Sequence, residues 1–341
     1  MIHARARAPH LAVLRVTVFG IWFVTVAQLR VRQFATIPPE LVQPPGLLRA
    51  LPLEELLARP NLLQVLQVVA LVGCTLAVAG VRPFPVVALP TVAVLFVLDG
   101  AMKSVGGFTN HAQTAVLYAA GILAVFPAAD AWSVARRPAP DRRSPWLHRA
   151  PLVLSTLVIT TAYTMIGLRR LVDGGLSLVT GASVETWLVS RSLEYGRYPF
   201  DDGLLVLEHR WLLGLAVAGM ALTTCFESLS LLTLRSDRFR LVWLAVIVPF
   251  HVVTLFAMRI FFWENLILVV VLLTGLPDRL VGLVERRRAP AGRAPLNRAP
   301  ANRAAARQSS APSQPSLRSR SQRLTSMARS SSVHSNSRSP T

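Results

Sequence analysis

The chain has 341 residues, 52% hydrophobic and 16% charged, which is more apolar than an ordinary globular composition. Its formal net charge of +19 is unevenly spread: residues 286–341 carry twelve arginines and no acid, so the basic balance belongs to a tail and does not mark a nucleic-acid-binding domain. Cys74 and Cys225 stand alone inside apolar runs and signal neither a disulfide framework nor a metal centre.

A membrane-spanning helix needs about 20 mostly apolar residues. Runs that meet this are residues 11–31, 62–80, 84–102, 112–132, 150–168, 211–234, 241–258 and 260–276, which predicts an all-α, polytopic membrane bundle of about eight spans. Pro85 and Pro90 are expected to kink the third, which neighbouring helices accommodate. The last is short, contains Glu264 and Asn265 and meets Pro277, so it reads as tilted or re-entrant. The first is expected to remain uncleaved: "TVAQ" loosely imitates a signal-peptide cleavage site, but Arg15 interrupts the apolar run.

Charge in the connecting loops orients these spans, because short cytoplasmic loops concentrate Arg and Lys. With Arg5 and Arg7 inside, the inner loops contain Arg82, then Arg136, Arg137, Arg142, Arg143 and Arg149, then Arg235, Arg238 and Arg240. The outer loops hold Glu40, Glu54 and Glu55, and later Asp173, Glu185, Glu194, Asp201 and Asp202. The alternation predicts a cell-membrane protein with both termini cytoplasmic. Within the outer loops, "GLLRALPLEELLARP" and "ASVETWLVSRSLEYGRY" read as helices lying at the interface or packed over helix ends. Two regions follow: a membrane domain over 1–285 and, over 286–341, an Ala/Pro/Ser/Arg-rich tail too poor in large apolar residues to fold, hence disordered. A polybasic tail is attracted to anionic membrane lipids, or serves only to enforce orientation.

Polar residues at the span ends are the candidates for chemistry. Asn110 and His111 open the fourth run; Arg169 and Arg170 close the fifth, which runs the other way, so both sets belong to the outer face. Histidine suits proton transfer near neutrality, and arginine suits an anionic or oxyanionic group. The structural alternative makes Asn110 a helix cap and the arginines interface anchors, with Asp173 as an ion-pair partner. Deeper in the membrane, Glu227 lies eight residues before Arg235 and His251 eleven after Arg240. By helical rise they sit about 12 and 16 Å from the inner face. Intramembrane charges are costly unless paired, so Glu227 and His251 are expected to form a clamp or a proton relay. No metal-ligand spacing, nucleotide-binding glycine pattern or serine-nucleophile motif is present.

Several segments, in order, resemble the horizontally transferred transmembrane (HTTM) domain family, which includes the membrane part of vitamin K-dependent gamma-carboxylase. "TNHAQTAVLYAAGILAVFPAADAWSV" is similar to a family helix opened by Asn-His (Asn110, His111) and closed by an Asp before Trp-Ser (Asp130, Trp132, Ser133). "AYTMIGLRRL" resembles its aromatic-x-x-x-Gly-x-Lys-Lys-Leu pattern through Tyr163, Gly167 and Leu171. "TGASVETWLVSRSLEYGRYP" looks like its G-x-A helix, and "CFESLSLLTLRSDRFRLVWLAVIVPFHVVTLFAMRIFF" is similar to its closing pattern through Glu227, Arg238, Phe250 and His251. The resemblance is strongest over residues 106–276.

It implies an outward-facing site where His111 matches a reactive histidine. Arg170 stands where the carboxylase has its lysine base, and a guanidinium does not lose its proton in proteins. The carboxylase's soluble domain is also absent from this sequence, so gamma-carboxylation is not expected. Two classes lead, and a transporter stands third because the sequence shows no paired broken helices. One is a divergent membrane enzyme acting on a lipid, quinone or peptide, with His111 and Arg170 as catalytic and Asn110 and Arg169 as substrate-binding residues. The other is a non-enzymatic binding, export-accessory or assembly protein. No cofactor is identified, membrane lipids are the expected partners, and no nucleic acid is expected.

Overall fold

The computed structural model describes residues 6–34, 36–44, 46–50, 52–105, 113–134, 144–175, 177–194, 204–258 and 262–288. The described residues are helical, with one isolated β-bridge between Val42 and Val105. The principal helices are α1 (Ala8–Gln28), α2 (Pro60–Ala79), α3 (Phe84–Lys103), α4 (Thr114–Ala124), α5 (Trp146–Gly174), α6 (Ala182–Glu194), α7 (Arg210–Ser228), α8 (Asp237–Met258), α9 (Trp263–Leu273) and α10 (Leu276–Arg288).

Six of these, α1, α2, α3, α5, α7 and α8, are long and apolar enough to cross a membrane, and the bent pair α9–α10 makes a seventh candidate. Of the eight apolar runs, those over 112–132 and 260–276 do not form one long helix each, and the bend in the second is compatible with its tilted or re-entrant reading. The run over 112–132 contains only the 11-residue α4 and then turns through residues 125–132. Pro127 accounts for the break, because the residue before a proline is pushed out of the helical region and proline donates no hydrogen bond. The run over 260–276 does not stop at Pro277. The chain breaks at Thr274–Gly275, bends by 71° and starts α10, where Pro277 occupies the first turn and removes no needed donor.

α1 is the centre of the bundle and packs on α2, α4, α5, α9 and α10. Leu11, Leu14, Val18, Phe19, Trp22 and Val26 are all fully buried along it. The outer surfaces are apolar instead: Val65, Val68 and Val72 on α2, Leu215 and Leu222 on α7, and Val253 and Phe256 on α8 are exposed. Inside a bilayer such surfaces face lipid, and close van der Waals fit rather than apolar burial holds the helices together. A second, smaller core joins α6 to α7 through Val184, Leu188 and Met220. Pro52 starts the short helix Leu53–Leu57, and α6 lies over α7, so both loop segments read as helical contain helix.

One buried charge fixes the centre. Arg15 of α1 is fully buried and donates hydrogen bonds to the carbonyls of Ala128 (2.7 Å), Ala131 (3.1 Å), Trp132 (2.7 Å) and Val78 (3.2 Å). These are the carbonyls left over where α2 ends and where the chain breaks after α4, so one guanidinium caps two helix ends. Gly80 makes this geometry available. It sits in the left-handed region at φ 70°, and a Cβ there would lie 2.6 Å from Arg15 Nη1.

Candidate functional site

Three helices converge at a buried polar cluster: α5 and the consecutive α7 and α8. Gly167 sets the approach of α5 to α7. A Cβ at this position would fall inside contact distance of the Ser228 backbone nitrogen and 2.8 Å from the Glu227 carbonyl carbon. With the backbones this close, Arg170, three residues on, bonds through Nη1 to Glu227 Oε2 at 2.5 Å. Arg170 also lies over the ring of Phe250, 5.8 Å from its centroid, where a cation is attracted to the π face.

One turn before Gly167, Tyr163 shares a 2.8 Å hydrogen bond between its hydroxyl and His251 Nε2. The Tyr163 ring packs edge-on against Trp243, 5.2 Å between centroids, and Phe262 packs edge-on against His251 at 5.7 Å. Trp243 Nε1 donates to Ser230 Oγ at 2.8 Å and to the Phe226 carbonyl at 3.0 Å, tying α8 to the end of α7. Tyr163 thus holds one edge of the imidazole, while His251 Nδ1 is buried and has no hydrogen-bond partner among the described residues.

A second polar set joins α3, α4 and α9. Lys103 Nζ bonds Asp99 Oδ2 at 2.5 Å, one helical turn away, and reaches Thr114 Oγ1 at 2.7 Å. The neighbouring Gln113 donates to Glu264 Oε1 at 2.9 Å. Asp99, Lys103 and Glu264 are all nearly excluded from solvent, and Asp99 Oδ1 and Glu264 Oε2 have no hydrogen-bond partner among the described residues. The α9 helix links the two sets, since Phe262 immediately before it touches His251 and Glu264 in its first turn touches Gln113.

The residues of the Asp-x-Trp-Ser motif hold the break after α4. Asp130 meets His148 Nε2 at 2.9 Å and Arg82 at 3.8 Å, and Ser133 Oγ donates to the Gly80 carbonyl at 2.5 Å. Trp132 adopts φ 51°, a conformation costly for a residue with a side chain, and its carbonyl is one of the four held by Arg15.

The expected site residues fall as follows. Asn110 and His111 lie outside the described residues. Arg169 is exposed and paired with Asp173 at 2.9 Å, and Arg170 is paired with Glu227. Glu227 and His251 were expected to bond one another, but each has a different partner, Arg170 and Tyr163. The Asp99–Lys103 set was not anticipated, although its four-residue spacing on one helix was visible. Among the described residues no three His, Cys, Asp or Glu side chains cluster to hold a metal ion. No protein-family model, curated protein or solved structure matches the chain.

Proposed function

We propose that this chain is a divergent HTTM-like integral membrane protein that binds a lipid-soluble substrate, a quinone, lipid or peptide, at a polar site and acts on it by proton transfer other than gamma-carboxylation. The carrying observation is the pair of buried sets on neighbouring helices, in which His251 Nδ1, Asp99 Oδ1 and Glu264 Oε2 lack hydrogen-bond partners among the described residues. Unsatisfied polar atoms and ionisable groups inside a membrane protein are costly, so their persistence points to use. In this reading His111, two residues before Gln113 in the chain, exchanges a proton. Arg170 supplies fixed positive charge, and Asn110 and Arg169 contact the substrate. The six long helices, α4 and the α9 limb of the bent pair make the eight crossings, and the Arg-rich loops put both termini in the cytoplasm of a cell-membrane protein.

Mass spectrometry of lipids and quinones extracted from the purified protein tests this. One species enriched over bulk lipid, and lost from His111→Ala and Asp99→Asn, is the expected result. Identical bulk-lipid profiles in all three proteins would remove the substrate site.

The second reading is a non-enzymatic binding, export-accessory or assembly protein. It is favoured by the engagement of both arginines, Arg169 by Asp173 and Arg170 by Glu227. It predicts that His111→Ala lowers thermal stability and leaves any bound ligand in place.

A further inference from the structure

The bend after α9 turns α10 by 71°, so a helix that would otherwise continue α9 runs across it. At about 100° per residue, the 13 residues of α10 divide into four faces, the fourth being that of Asp278 and Glu285. Pro277 and Val281 are buried against the bundle, with Val284 beside them half-buried. Leu276, Leu280 and Leu283 form the adjoining stripe; Leu280 is 36% and Leu283 56% exposed. Arg279, Gly282 and Arg286 make the third face, and Arg287 stands at the end of the leucine stripe, where a long side chain can reach past it to water.

The acids of the helix face α1 and find basic partners there, with both side chains still partly exposed. Asp278 bonds His10 Nε2 at 2.8 Å, and Glu285 meets Arg7 at 3.5 Å. These contacts pin α10 at the N-terminal end of α1, the end where a spanning helix leaves the membrane. Beside them lies a leucine stripe edged by arginines, which the membrane reading puts at the level of the lipid headgroups. The combination suits neither bulk water nor the acyl interior, but it matches an interface bearing negative charge.

We propose that α10 is an interfacial helix that seats Leu280 and Leu283 in the outer part of one leaflet and binds anionic lipid headgroups through Arg279, Arg286 and Arg287. This rests on the membrane reading of the fold and is independent of the polar site. The test is site-directed spin labelling at Leu280→Cys, Leu283→Cys and Gly282→Cys in a Cys225→Ser background, in nanodiscs of phosphatidylcholine with and without phosphatidylglycerol. Labels at 280 and 283 are expected to be open to oxygen and shielded from a water-soluble nickel chelate, with 282 the reverse. A label at Val68→Cys, on the exposed face of α2, serves as control. If it is oxygen-accessible while 280 and 283 are open to nickel, the interfacial proposal fails; if it too is open to nickel, the membrane reading fails. Enrichment of phosphatidylglycerol over phosphatidylcholine in the retained lipid should fall by roughly fivefold for each of the three arginines changed to Gln. Unchanged enrichment in the triple variant would overturn the headgroup assignment.

Discussion

Arg170 on α5 and Glu227 on α7 meet in an ion pair whose carboxylate is 2% exposed and whose guanidinium is 22% exposed. Fifty-seven residues separate them in sequence. The pair holds the ends of two helices at one depth, next to the Tyr163–His251 hydrogen bond, so its energetics bear on the whole cluster.

Removing one partner leaves a buried charge without compensation. Glu227→Met and Arg170→Met are each expected to destabilise the protein by about 3 kcal/mol, the low end for buried pairs because Arg170 retains some solvent contact. Replacing both by Met should recover much of that loss. Arg170→Lys preserves the charge and should be tolerated, losing only the stacking over Phe250. Thermal unfolding of the four proteins in one detergent measures this; additive losses in the double variant would show that the two residues are not coupled.

Gly167 is expected to be irreplaceable for steric reasons. Gly167→Ala drives a methyl group into the Ser228 backbone, and overpacking of this kind costs about 1–3 kcal/mol. Gly219 on α7 has open space where its Cβ would be, so Gly219→Ala should stabilise by up to about 1 kcal/mol through helix propensity. Opposite signs in the two melting shifts are the required outcome.

Much of the bundle was legible because spanning helices announce themselves as apolar runs of fixed length. Glu227 and His251 stand out in the sequence as ionisable groups within apolar runs, and Tyr163 and Gly167 through the motif that they share, but the pairing of these residues was not legible. Counting helical rise inward from Arg235 assumed one straight helix, whereas α7 ends at Ser228 and a 3₁₀ turn over Ser230–Leu234 follows. Likewise α5 continues to Gly174, beyond the apolar run that ended at residue 168. Depth arithmetic therefore separated Arg170 from Glu227, although they touch. The break after α4 escaped notice because its leftover carbonyls are satisfied by Arg15, 113 to 117 residues away in sequence. No local pattern records such a partner.

Arg15 is predicted to be the most costly single polar residue to remove. Arg15→Met strands four carbonyls that now receive charged donors, each worth about 1.5–3 kcal/mol and not fully additive. A loss of at least about 3 kcal/mol, or failure to accumulate in the membrane, is expected. Arg15→Lys should recover only part, since one ammonium cannot span carbonyls shared between two guanidinium nitrogens. If Arg15→Lys matches the parent in thermal unfolding, the capping role assigned to the guanidinium is wrong.

Lys103 offers a test that few side chains allow, because it is the only lysine in the chain. Protein labelled with ¹⁵N at lysine side chains carries a single reporter amine. In the structure Nζ is held by Asp99 and Thr114, and the side chain is 8% exposed. Two of its three N–H groups are thus engaged away from water, and the amine signal should exchange slowly with solvent. Asp99→Asn should speed that exchange strongly and Thr114→Ala less so, because a charged acceptor makes the stronger bond. Lys103→Met should destabilise the fold by leaving the Asp99 carboxylate unpaired, and adding Asp99→Asn should return a coupling of about 1–3 kcal/mol. An amine signal that exchanges rapidly in the parent protein would mean that Lys103 faces water, and the buried Asp99–Lys103–Thr114 set would have to be abandoned.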